Sequence, residues 1–127
     1  MINSFSTFNN LYSAKKQDFI KKRYDEIYVH ELAHKQAAGS FGGAIVIEKD
    51  ANGIPVGGHV SIKMPTLDKN NPDNTIKHAD TVIRAAMAPS DPSSQDYKVA
   101  AEARQIKSQA QAIKTDPRVG KKLDYQA

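Results

Sequence analysis

The sequence predicts an α+β domain: a long helix that carries the candidate active site, then a β-hairpin, then two helices packed against them. Three observations carry this expectation. From Lys15 to Ala38 no Gly or Pro intervenes, and apolar residues recur at helical spacing. Two β-branched stretches flank Asp50-Ala51-Asn52-Gly53, and Asn-Gly readily takes the positive φ angles of tight hairpins. Two further helix-period stretches follow, joined by the proline-bearing corner Ala88-Pro89-Ser90-Asp91-Pro92.

Taken in order, residues 1–14 show no sustained period and read as a flexible arm. The first helix places Ile20, Tyr24, Ile27, Glu31, His34 and Ala38 on one stripe, with Gly39 as its stop. Ala44 to Glu48 reads as a strand and Ile54 to Lys63 as its return. Gly57-Gly58 inside the return suggests a bulge or a close backbone approach. After a polar loop, a second helix runs from Thr75 to Ala88, capped by Asp73 or Asn74, with Ile76, Ala79, Ile83 and Met87 inward and Pro89 stopping it. Ser93-Ser94-Gln95-Asp96 has the form of a capping box. It opens a third helix to Ile113, with Val99, Ala103, Ile106, Ala110 and Ile113 on its apolar stripe. Residues 115–127 read as a loose tail, so one domain is expected over 15–114.

Composition narrows the chemistry. A chain of 127 residues supports one compact domain. It has no cysteine, which excludes disulfides, a Cys nucleophile, thiolate zinc ligands and iron–sulfur clusters. Any metal must therefore be held by carboxylates and the 4 histidines. The net charge of +4 comes from local clusters, Lys15 to Arg23 and Lys114 to Lys122, without the interleaved aromatics or motif of a nucleic-acid binder. No run is apolar enough for a membrane span. The polar first eleven residues do not resemble a secretory signal, which favours a cytoplasmic location.

The chemistry lies in His30-Glu31-Leu32-Ala33-His34, a His-Glu-x-x-His inside the first helix. Residues i and i+4 share a helix face, so both imidazoles can reach one zinc ion. The intervening Glu31 can take a proton from the attacking water. Glu31 and His34 continue the apolar stripe, and buried ionisable groups are costly unless paired or coordinated. A catalytic zinc usually takes a third protein ligand. The extended metzincin pattern fails, since positions 37 and 40 are Ala37 and Ser40. His59 follows the paired glycines and is the favoured third ligand, with Asp80 and Glu102 as alternatives. His78 lies off its helix's stripe and reads as solvated. The corner residues Asp91 and Asp96 read chiefly as a rigid turn and caps, or as carboxylates orienting a ligand histidine. Tyr28 and Tyr97 are open choices for an oxyanion donor.

These segments together carry a resemblance. The His30–His34 motif, Gly57-Gly58-His59-Val60-Ser61-Ile62, and Ala88 through Asp96 resemble the bacterial SprA-related family over about residues 28–112. The resemblance implies a zinc-dependent peptidase acting on peptide or protein substrates. In that family the position of His59 is usually Glu, and His keeps a zinc-competent ligand type there. Three functions compete: a small zinc peptidase using His30, His34 and His59 with Glu31 as general base; a non-catalytic, zinc-stabilised interaction module; and a metal-free helical interaction protein.

Overall fold

The computed structural model describes residues 4–116 and 118. The element order is helix α1 (Ser4–Ala38), a 3-10 turn (Gly39–Phe41), strands β1 (Gly42–Lys49) and β2 (Pro55–Ile62), and helices α2 (Pro72–Ala86) and α3 (Ser94–Thr115). This is the expected α+β order of long helix, hairpin and two helices. The first helix begins earlier than the sequence suggests: residues 4–14, read as an arm, are its opening turns. Their exposed Phe8, Leu11 and Tyr12 stand at helical spacing but touch no core, so they leave no amphipathic contrast to read. At the other end the tail expected over 115–127 falls almost wholly outside the described residues.

Helix α1 spans about 52 Å at 1.5 Å per residue. Only its C-terminal half packs on the body, burying Ile27, Glu31, His34 and Ala38 on the expected stripe. Gly39 ends it with a φ of 56°, a left-handed conformation that costs glycine little. The chain then turns directly into the hairpin.

The two strands pair antiparallel, with Val46 opposite His59 and Ile47 opposite Gly58. Their turn is tied by Asp50, whose Oδ1 accepts from the backbone N–H groups of Asn52 and Ile54. Of the two readings open for the paired glycines, Gly58 makes a close approach. A Cβ there would lie 2.7 Å from Ile27 Cγ2, 3.0 Å from the Val46 carbonyl oxygen and 3.1 Å from Glu31 Cγ. The absence of a side chain lets β2 lie directly on the stretch of α1 that carries the motif. The register also shifts between Glu48 and Lys49, which face Gly57 and Pro55.

Helix α2 starts earlier than predicted, with Asn71 as N-cap and Pro72 in its first turn. Its wheel is rotated, so Thr75, Ala79, Val82, Ala85 and Ala86 are buried while Ile76, Ile83 and Met87 are only half-buried. The reason lies in α3, which presents Ala100, Ala103 and Ala110 to α2. Small side chains on both helices let the backbones approach, and the bulkier aliphatics fill the flanks. The capping box at the start of α3 is complete: Asp96 N–H donates to Ser93 Oγ, and Ser93 N–H donates to Asp96 Oδ2. Two ion pairs, Lys107 with Asp80 and Lys114 with Asp73, join the outer faces of α2 and α3. Among the described residues no helix is long and apolar enough to cross a membrane.

Candidate metal centre

The site is built on the buried stripe of α1, where β2 and the start of α3 converge. His34 is 4% exposed and Glu31 7% exposed, unusually low for charged or titratable side chains. The helix repeat places His30, one turn earlier, beside His34 at the edge of the body, with ring centroids 4.9 Å apart. The two Nε2 atoms are 3.2 Å from each other. His30, Glu31 and His34 offer ligand atoms that all lie within 4.8 Å of one another, a group that can hold a metal ion.

The other nitrogens are anchored. His34 Nδ1 lies 2.7 Å from the Ala85 carbonyl at the end of α2. A carbonyl only accepts, so Nδ1 carries the proton, and neutral His34 presents a lone pair at Nε2. His30 Nδ1 faces Asp91 Oδ1 at 3.4 Å, from the proline corner between α2 and α3. Metal-binding imidazoles are commonly oriented in this way, through an oxygen acceptor on the far nitrogen.

Asp96 enters from the first turn of α3. Its Oδ2 is 3.1 Å from His30 Nε2 and its Oδ1 3.1 Å from His34 Nε2. Burial raises the Glu31 carboxyl above its ordinary value; His34, His30 and, least, His59 pull it down, Asp96 pushes it up, and burial wins.

The structure brings His30, Glu31 and His34 together; His59 and Glu102 line the cavity beside them, outside that close group. His59 stands on β2 immediately after Gly58. Gly58 lies directly against α1, while His59, the next residue, is exposed and stands at the rim of the cavity beside the cluster. Its Nδ1 is 3.0 Å from Glu48 Oε1 on the neighbouring strand, and both side chains are more than half exposed. Asp80 is engaged by Lys107 at 2.7 Å. Glu102 is exposed on α3. His78, expected to be solvated, instead stacks on Phe41 with centroids 3.7 Å apart and donates from Nε2 to the Lys63 carbonyl. It therefore fastens α2 to the start of the hairpin.

A cavity of about 420 Å³ opens beside the cluster, lined by Glu31, His34, His59, Asp96, Val99 and Glu102 among others. Its floor is the buried carboxylate and imidazole; its walls come from β2 and α3. Tyr28 and Tyr97 do not line it. Asp96 was visible in the sequence as a cap, and that role is real. Its contact with the histidines, the other reading open for it in the sequence, is also present.

These elements define an α+β domain built around a His/Glu group able to hold a metal ion. The chain belongs to the SprA-related family, whose model matches residues 9–121. No curated protein and no solved structure matches the chain.

Proposed function

We propose that the protein is a zinc-dependent peptidase in which His30 and His34 hold the metal and Glu31 is the general base. The observation that carries this reading is the convergence of both Nε2 atoms at 3.2 Å next to a buried carboxylate, at the floor of an open cavity. The donor set of two imidazoles and carboxylates suits zinc, and cysteine is absent from the chain. A bound zinc ion would supply Lewis acidity, polarising the scissile carbonyl and making water a stronger nucleophile near neutral pH.

The chain's own groups do the rest. Glu31 takes the proton of the attacking water and returns it to the amine nitrogen as the C–N bond breaks. The Ala85 carbonyl and Asp91 hold the imidazoles of His34 and His30 in orientation. Gly58 lets β2 close over Glu31 and exclude water from one side of it. A peptide or protein segment lying in the cavity would pass between β2 and the start of α3.

Glu31→Gln should keep the metal while peptide hydrolysis falls by roughly 100- to 10,000-fold, the usual contribution of a general base. Undiminished hydrolysis by the metal-loaded variant would contradict the mechanism. A second reading, a metal-stabilised interaction module without catalysis, is favoured by a sheet of two strands among the described residues. That leaves little wall against which to grip a substrate. It predicts metal-dependent melting with no hydrolysis of a broad peptide library.

A further inference from the structure

We propose that Asp96 is the third protein ligand of the metal site, so that the carboxylate capping helix α3 also ties that helix to α1 through the metal. The inference rests on the metal-site reading above and extends it to a residue on a different element. Three observations carry it.

The first is spacing. A tetrahedral zinc with nitrogen and oxygen ligands at about 2.0–2.1 Å separates its ligand atoms by roughly 3.3–3.4 Å. The cluster already has His30 Nε2 and His34 Nε2 3.2 Å apart, with Asp96 Oδ2 3.1 Å from the first and Asp96 Oδ1 3.1 Å from the second. Little rearrangement is needed to seat an ion among them.

The second is convergence. His34 is buried with Nδ1 held 2.7 Å from the Ala85 carbonyl, which leaves Nε2 aimed at Asp96 Oδ1 at 3.1 Å and at His30 Nε2 at 3.2 Å. A metal at that point satisfies both imidazoles and the carboxylate together.

The third is division of labour within one side chain. Asp96 Oδ2 receives the Ser93 N–H at 2.8 Å, which fixes the carboxylate on the α3 axis. Oδ1 is left toward His34. The cap thus pre-orients the ligand oxygen, as outer hydrogen bonds do at metal centres. His59 has neither property: it stands at the cavity rim, more than half exposed, and is paired with Glu48. Helix α3 packs mainly on α2, so the Asp96 bridge is its polar attachment to the helix of the motif.

The test compares the full chain with Asp96→Asn, His59→Ala and His34→Ala, using chelator competition for Zn²⁺ affinity and visible absorption of the Co²⁺-loaded protein. Asn keeps an oxygen that can accept the Ser93 N–H, so metal-free Asp96→Asn should melt like the parent. Removing an outer partner of a metal ligand typically costs 10- to 100-fold in affinity, and loss of a direct ligand should exceed about 100-fold. Asp96→Asn should show that loss together with a weakened Co²⁺ band, while His59→Ala leaves both unchanged. Unchanged affinity in Asp96→Asn, or the loss appearing in His59→Ala instead, overturns the assignment. If His34→Ala also leaves affinity unchanged, the metal site itself fails, a distinct outcome. Should Asp96→Asn not fold, the Co²⁺-loaded parent decides: hyperfine-shifted Asp96 β-protons support ligation. Shifted His30 and His34 resonances without them refute it.

Discussion

The four histidines fall into two pairs that differ in what surrounds their nitrogens. His30 and His34 stand one turn apart on α1, with each Nδ1 facing an oxygen and both Nε2 atoms turned toward the same point. His59 and His78 each have an unrelated partner, a strand carboxylate in one case and a stacked Phe41 with a backbone carbonyl in the other. The difference teaches that a shared direction, rather than the number of imidazoles nearby, makes a group able to hold a metal. Helix periodicity supplies that direction for His30 and His34, whereas His59 on β2 is exposed at the cavity rim and paired with Glu48 across the hairpin.

The comparison breaks most visibly at His34. His34→Ala should abolish metal binding and destabilise the metal-free chain by about 2–4 kcal/mol, since it leaves a buried hole and removes the bond to Ala85. Metal titration followed by denaturant melts measures both effects. Gly58→Ala comes next. Its Cβ would press on Ile27, the Val46 carbonyl and Glu31, and the backbone oxygen has little room to yield. We expect a loss of about 1–3 kcal/mol and a displaced Glu31, read by denaturant melting and hydrolysis rate.

Glu31 sharpens the electrostatic side. Because burial raises its carboxyl, the ionised group costs the metal-free fold stability. That cost is absent at pH values below the ordinary carboxylate range, where Glu31 is protonated whether folded or unfolded. It grows as pH rises through that range and is complete above the raised folded value. Metal-free Glu31→Gln should therefore melt above the parent at neutral pH, with the difference closing as pH falls toward the ordinary carboxylate range. Thermal melts across pH would show this, and a pH-independent difference would not fit. His59→Ala should do least, shifting stability by no more than about 0.5 kcal/mol, because its ion pair with Glu48 is exposed.

Much of the site helix was legible in the sequence because the same period governs burial and ligand direction. Ile27, Glu31, His34 and Ala38 are buried as the spacing implied, and Gly39 ends the helix where expected. The hairpin was legible from Asn52-Gly53, and the paired glycines correctly signalled a close approach at Gly58. What sequence could not show depended on partners distant along the chain. The rotation of α2 follows from the alanines of α3, and the placement of Asp96 follows from the angle at which the proline corner returns the chain to α1. The opening turns of α1 are not legible because Phe8, Leu11 and Tyr12 there are exposed and mark no buried stripe.

Zinc content of the purified full chain tests the account most directly, measured for the parent, for His30→Ala/His34→Ala and for His59→Ala/His78→Ala. The account predicts one zinc per chain in the parent and in the His59/His78 variant, and none in the His30/His34 variant. Retention of zinc by the His30/His34 variant, or its loss from a folded His59/His78 variant, would contradict it.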